Sequence, residues 1–457
     1  MRTGADRTRT GATGATGATA AGATTVELFA RGRLDLMDAA EATKLVARSG
    51  PAERPAEVAD AVAAIVADVR ARGDAALLDM AERYDGVALN ALEVPRPAWD
   101  DALRTTPTDV RSALERAADN VRRFHAAQVP AEVSIETEPG VRVTRVWSAL
   151  DRVGVYAPGG RASYPSSVLM GVVPAKAVGV RQVVVCSPPG PSGLPPREVL
   201  AACALAGADR LFALGGAGAV AALAYGTRSV PAVDAIVGPG NEWVTEAKRQ
   251  VAGHVPIDAP AGASEVLVLA DESADALLVA HELLAQAEHD PDAACVLVTT
   301  SERLAADAET ALARLLEDAP RSEVARVALA ARGAIVVVRD LEEAFAFAER
   351  YAPEHLSVMT TDAAALARRV RTAGTTFVGA SASVAFGDYL TGANHVLPTG
   401  GRARSWSGLA AHHFMRSHTR QEIDAPAAAA MAEDAAVLAR AEGLPAHAAA
   451  ALARRPS

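Results

Sequence analysis

At 457 residues the chain is about three domain lengths long, enough for two or three folding units with a sizeable buried core. Half of its residues are hydrophobic and 22% are charged, which excludes a disordered or collagen-like chain. The net charge of −10 argues against a nucleic-acid-binding surface, so the expected protein is globular with small-molecule partners.

The first 24 residues, with Gly-Ala-Thr triplets from Gly11 to Thr19 and basic Arg2, Arg7 and Arg9, have no hydrophobic periodicity. A disordered tail is expected over 1–25; a transit-peptide reading competes on composition, although no apolar secretion segment is present. A helical extension is expected over 26–50. From Pro55 to Tyr84 apolar residues recur at helical spacing, with Gly73 as a break between two helices, and one long helical segment is expected from Pro97 to Gln128.

Further on, Val153–Val155, Val183–Cys186, Leu211–Leu214 and Ala235–Val237 are short apolar runs separated by helical or turn-rich stretches. The pattern repeats in Val266–Leu269, Cys295–Val298 and Ala334–Val338, with helices expected over 275–287 and 301–316. Such alternation reads as parallel strands with crossover helices. The fold class expected is α/β, with two Rossmann-like parallel-sheet domains of similar plan and a helical C-terminal appendage. The expected grouping is 51–155 plus 263–353 in one domain, 156–262 plus 354–402 in the other, and 403–457, where strand signals fade, as the appendage. No stretch of about 18 uncharged apolar residues occurs, since the best, 167–186, is broken by Lys176 and Arg181, so no membrane span is expected. Cys186, Cys203 and Cys295 each sit in apolar sequence outside any CxxC pair, which fits buried thiols in a reducing, cytoplasmic setting.

Glycine-rich turns follow three of the strand runs: Pro158-Gly159-Gly160, Gly215-Gly216-Ala217-Gly218 and Gly238-Pro239-Gly240-Asn241. Beyond the carboxyl ends of parallel strands, main-chain N–H groups can hold anionic ligands. Gly216-x-Gly218-x-x-Ala221 matches a dinucleotide fingerprint, with tight helix–strand packing as an equal alternative. Gln286 and His289, three apart at the end of a helix, could share a metal ion, or His289 could cap the helix against its dipole. Glu354 and His355, just after Pro353, suit general-base work on one substrate. No GxSxG elbow, P-loop or kinase signature occurs, so nucleophilic-serine and nucleotide-driven chemistries lack support.

From about residue 26 to the end, the chain resembles the histidinol dehydrogenase family. The resemblance rests on Gly154-Val155-Tyr156-Ala157-Pro158-Gly159-Gly160, Gly238-Pro239-Gly240-Asn241 with Val244-Thr245-Glu246-Ala247-Lys248, and Ser264-Glu265-Val266-Leu267-Val268. It continues in Gln286-Ala287-Glu288-His289-Asp290, Ala352-Pro353-Glu354-His355-Leu356, Gly387-Asp388-Tyr389 and Asn394-His395-Val396-Leu397-Pro398-Thr399. It implies an aldehyde-dehydrogenase-like arrangement of the two domains. It also implies oxidation of L-histidinol through the aldehyde to L-histidine, the last step of histidine biosynthesis, with two NAD and one Zn2+ per subunit. Position by position, Gln286, His289, Asp388 and His447 fall on zinc ligands. The same four residues with His355, Ser264 and Glu442 fall on substrate contacts. In the implied homodimer, His447 and Glu442 reach the partner's site. His355 would take the alcohol proton and Glu354 would activate water against the aldehyde, while Tyr156, Gly218 and Asn241 fall on NAD contacts.

At Gly218 the chain departs from the family, which usually has Gln there; losing one amide hydrogen bond, worth on the order of 1 kcal/mol, would weaken NAD binding rather than abolish it. Two other enzymatic readings share many of these residues: a relative acting on another amino- or sulfo-alcohol, and a zinc-dependent hydrolase in which Glu354 activates water without nicotinamide. A non-catalytic zinc-bridged dimer gives no reason for Glu354 and His355.

Overall fold

The computed structural model describes residues 30–33, 56–159 and 163–455. The expected tail, 1–25, lies outside the described residues, as does most of the expected helical extension; within that extension Ala30–Arg33 is a strand, β1, rather than helix.

The break at Gly73 is present: helix Ala56–Arg72 ends there, Gly73 takes φ 58°, and helix Asp74–Met80 runs on into a single π-helical turn, Ala81–Asp85. The segment expected as one helix over 97–128 is two, Arg96–Thr105 and Thr108–Ala126. Thr106 is extended (φ −65°, ψ 133°) because the ring of Pro107 crowds the residue before it out of helical conformation.

Strands β2 (Val133–Glu138) and β3 (Val141–Ala149) form an antiparallel hairpin. The chain then builds a parallel sheet from β4 (Arg152–Tyr156), β5 (Gln182–Ser187), β6 (Arg210–Ala213) and β7 (Ala235–Val237), in the order β6-β5-β4-β7. A second parallel sheet follows from β8 (Glu265–Ala270), β9 (Ala294–Thr299), β10 (Gly333–Val337), β11 (His355–Met359) and β12 (Thr375–Val378). With β1 at its edge, its order is β1-β10-β9-β8-β11-β12. In both sheets the chain steps outward in one direction, then returns to the far side of its first strand. That reversal defines the Rossmann plan and puts a crevice at the point where it occurs.

Sheet membership departs from the expected grouping. β4 pairs with β5 and β7, and β11 pairs with β8, so strands β4 to β7 form one sheet and β8 to β12, with β1 from the N-terminal region, the other, rather than in the expected combination. Short valine-rich runs announce strands without naming their partners, and pairing among strands close in sequence prevailed.

Within β5, Val183 and Val185 pack against helices Pro165–Ala177 and Arg197–Ala206, whereas Val184 and Cys186 face helices Ala56–Arg72 and Gly216–Tyr225. Both faces are covered, which is why the strand reads as an unbroken apolar run. Each such side chain contributes about 1.5–3 kcal/mol of burial free energy.

The region beyond residue 400 is not wholly helical. Met415–Ile423 is a nine-residue strand, β13, antiparallel to β3 from Met415↔Ala149 to Ile423↔Val141. Its sequence, Met-Arg-Ser-His-Thr-Arg-Gln-Glu-Ile, is almost fully exposed, so main-chain pairing with β3 rather than burial makes it a strand, and no apolar pattern announces it. The expected helical appendage follows as Ala425–Ala441 and Pro445–Leu452, a helical pair packed on itself through Ala436, Ala439 and Ala448. No helix among the described residues is long and apolar enough to cross a membrane.

Cys186, Cys203 and Cys295 are unpaired and buried, and burial pushes each thiol well above its ordinary range. An aromatic disulfide reagent is therefore expected to find no fast-reacting thiol in the native protein and to titrate all three after unfolding in guanidinium chloride.

Candidate active site

The crevice of the first sheet opens between the carboxyl ends of β4 and β7. Tyr156 ends β4 and is buried; its hydroxyl accepts a hydrogen bond from the Gly216 N–H at 3.2 Å, and burial pushes its pKa up to about 12. Opposite, Gly238 follows β7 with φ 117°, and a Cβ there would lie 2.1 Å from the Tyr156 carbonyl oxygen, so only glycine fits. Asn241 caps helix Glu242–Val251, its Oδ1 accepting from the N–H groups of Trp243 and Val244 at 3.1 Å each. A Cβ at Gly215 would meet the Pro188 ring at 2.9 Å, whereas one at Gly216 would meet open space. Bare main chain around a switch-point crevice fits a dinucleotide, whose phosphates need close backbone approach. Gly218 is buried in helix Gly216–Tyr225, and its missing Cβ would meet Met80 Sδ at 2.9 Å.

The second cluster gathers at the amino ends of β8 and β11, neighbours in the second sheet with His355 opposite Val266. Ala352, the only non-glycine residue with positive φ among the described residues (50°), ends helix Leu341–Tyr351 in left-handed conformation and turns the chain into Pro353 and Glu354. Adjacent side chains then close on one neighbouring residue. Glu354 Oε2 accepts from the Glu265 N–H at 2.8 Å, and the His355 Nδ1–H donates to the Glu265 carbonyl at 3.0 Å. With Nδ1 carrying the proton, His355 Nε2 is a bare acceptor; it is buried without a hydrogen-bond partner among the described residues, 3.8 Å from Asp388 Oδ1. Ser264, half-buried, immediately precedes Glu265 and accepts from the Ala294 N–H through its carbonyl at 3.0 Å.

Asp388 lies on the short helix Val384–Tyr389. Burial, reinforced by the charge of Glu282, pushes its carboxyl up to about 7, and no Lys or Arg pairs with it among the described residues. Glu282, itself buried, accepts from the Val384 N–H at 3.0 Å, tying helix Ala276–Ala287, which carries Gln286 and leads into His289, to the helix of Asp388. Gln286 is 1% exposed, and among the described residues neither its Oε1 nor its Nε2 has a partner. Burial also depresses the imidazoles: His355 falls to about 3, with His289 and His395 adding to the effect, and His289 is lowered too. His395 falls to about 4 although its Nδ1–H donates to the Asp388 carbonyl at 3.0 Å. A partly buried carboxyl, an unpartnered amide and a bare imidazole form a surplus of acceptors, which suits a cation. Their O/N mix suits zinc. Among the described residues no three His, Cys, Asp or Glu groups gather closely enough to hold an ion. The expected ligand set supplies only His289 and Asp388 of those types from this cluster, with Gln286 as the third donor.

The structure thus brings Glu354, His355, Asp388, His289 and Ser264 to one region, with Gln286 one helical turn from His289. Glu442 and His447 are not brought there within one chain: both are exposed on the C-terminal helical pair, and no side-chain hydrogen bond or ion pair joins them to this cluster among the described residues. Sequence reasoning gave no role to His395, Glu265 or Glu282. Each was visible as a polar residue beside an apolar run, but only the fold shows which of them face the site.

The Gly218 position is testable by refilling it. Gly218→Gln is expected to leave stability within about 1 kcal/mol in urea denaturation, because the flexible Met80 side chain can give way and the helix loses an interior glycine.

A family model described as histidinol dehydrogenase matches residues 49–455. A histidinol dehydrogenase of Methanosarcina mazei is 45% identical over 417 residues, covering 91% of this chain and 95% of that one. One from Bordetella parapertussis is 47% identical over 403 residues, covering 88% and 91%. The crystal structure of histidinol dehydrogenase from Elizabethkingia anophelis superposes with a TM-score of 0.87 at 32% identity, over 92% of this chain and 96% of that one. With a family model spanning most of its length and near-full-length relatives at this identity, the chain belongs to the histidinol dehydrogenase family.

Proposed function

We propose that the protein oxidises L-histidinol through the aldehyde to L-histidine, the last step of histidine biosynthesis, consuming one water and two NAD and releasing two NADH and three protons. The observation that carries this reading is the clamp of Glu354 and His355 on the Glu265 peptide, which fixes the imidazole tautomer and leaves Nε2 bare toward Asp388. In this scheme the crevice between β4 and β7 would hold NAD, which would supply the hydride acceptor, and one Zn2+ per subunit would supply a Lewis acid.

The remaining chemistry falls to the chain. His355 Nε2 takes the alcohol proton; its depressed pKa keeps it in the neutral, accepting form at physiological pH. Glu354, anchored through one oxygen on the Glu265 N–H, takes the proton of the water that adds to the aldehyde carbon. Gln286, His289 and Asp388 would hold the zinc, with His447 from the other subunit. Ser264, His355 and Glu442 would join them around the substrate, the Glu442 carboxylate matching its cationic nitrogen. Tyr156, Asn241 and the main chain at Gly218 would contact NAD.

A homodimer is part of the proposal because Glu442 and His447 are exposed on the C-terminal helical pair and make no side-chain hydrogen bond or ion pair with the cluster among the described residues. Val437 and Leu438, 52% and 66% exposed on the same helical pair, suit burial against a second copy. Three unpaired buried thiols suit the reducing cytoplasm.

Zinc-loaded protein with L-histidinol is expected to yield two NADH per substrate, followed by NADH absorbance, and to fall silent on chelation. No NADH from folded, zinc-bound protein would sink the dehydrogenase reading. For the shared site, His355→Asn and His447→Ala chains are each expected to be inactive alone. Randomly mixed dimers are expected to recover about a quarter of wild-type activity, since half would be mixed and each of those would hold one intact site of two. No recovery from mixed dimers verified by mass would place His447 in its own subunit's site.

A further inference from the structure

We propose that the buried ion pair Lys248–Asp258 is a positioning device for the dinucleotide crevice, setting NAD affinity without touching NAD; this rests on the assignment of that crevice to NAD above. Both side chains are 3% exposed, and their ammonium and carboxylate groups are in direct contact. Stability alone is a poor reason for such a pair, because desolvation offsets most of the attraction and an apolar pair of similar volume often serves as well. The remaining hydrogen bonds point elsewhere. Asp258 Oδ2 accepts from the Gly238 N–H at 2.7 Å, and Lys248 Nζ donates to the Gly238 carbonyl at 3.0 Å. The two ions therefore grip a single residue by both of its main-chain groups while gripping each other.

That residue forms the wall of the crevice. Gly238 sits at φ 117° against the Tyr156 carbonyl, in a conformation closed to side chains. With both polar groups bound, the flanking peptides are held from turning. From Gly238 the chain continues through Pro239 and Gly240 to Asn241, which caps the helix that carries Lys248, so the loop is closed at both ends by the same element. Asp258 comes from the segment that runs beside β7, where the Ile236 N–H donates to the Pro256 carbonyl and the Asp258 N–H to the Ile236 carbonyl. Six residues later that segment reaches Ser264 and the clamped Glu265. The pair thus fixes the crevice wall relative to both the capped helix and the strand leading to the second cluster. A preformed wall spares ligand binding the ordering of a loop.

The test uses full-length, zinc-loaded protein carrying Lys248→Met together with Asp258→Asn, which keeps an acceptor for the Gly238 N–H and leaves no lone buried charge. Calorimetric titration with NAD is expected to show a Kd raised by about tenfold or more, with a matching rise in KM for NAD. KM for histidinol and zinc content are expected to stay at wild-type values, a split that general loss of structure would not give. An unchanged Kd in the folded variant would overturn the inference. Wild-type protein that binds no NAD would instead overturn the assignment of the crevice, and the inference with it. Should the variant fail to fold, hydrogen exchange of the wild type decides: the Gly238 amide is expected to be protected without NAD, and rapid exchange there would overturn the clamp.

Discussion

The arrangement of the second cluster depends on one residue's main chain, that of Glu265. Its N–H is taken by Glu354 and its carbonyl by His355, so two consecutive side chains that an ideal strand would send to opposite faces converge on a single neighbour. Parallel pairing of β8 with β11 brings them within reach, and the left-handed turn at Ala352 delivers Glu354 just before regular strand geometry begins. The Glu265 carboxylate in turn accepts the Gly400 N–H, so the loop following Thr399 is tied to the same point. An imidazole oriented by a main-chain carbonyl cannot exchange tautomers without losing that bond. Its outward nitrogen is therefore defined before any ligand arrives.

Around that point desolvation acts on acid and base in opposite senses with one result. Asp388 is pushed up and His355, His289 and His395 are pushed down, all toward the uncharged form. The unpartnered Gln286 amide adds another polar group that the protein interior leaves unpaired. Unpaired polar groups concentrated in one place weigh against stability and are the usual mark of a site shaped for something other than the fold.

Much of the fold was legible because strands buried on both faces write themselves as unbroken apolar runs; Val183–Cys186 and Val266–Leu269 both became strands. Which runs pair was not written there, and the interleaved grouping of units failed for that reason. β13 is not legible because its residues are held by β3 and not by burial, whereas the helix break at Thr106 is written in Pro107 and only masked by the helical spacing on either side. Of the site, the Glu354–His355 step and the Gln286–His289 spacing could be read from residues, but their chemistry came from family resemblance. Asp388, Glu442 and His447 carried no local signal. Glu265 could not be read at all, since what matters there is a peptide group rather than a side chain, and every residue has one.

The pairing of β13 with β3 bears on the order in which the protein comes into being. Nearly the whole chain must emerge from the ribosome before Met415–Ile423 exists to find Val141–Ala149, while both parallel sheets are complete by Val378. Contacts between segments so distant in sequence close late and slowly. The helices bearing Glu442 and His447 follow directly on that strand, so their placement waits on it. A nascent chain thus carries two finished sheets with the antiparallel sheet still lacking its third strand. The antiparallel sheet is therefore the one sheet among the described residues whose completion waits on the C-terminal region, and with it the base from which the helices of Glu442 and His447 extend.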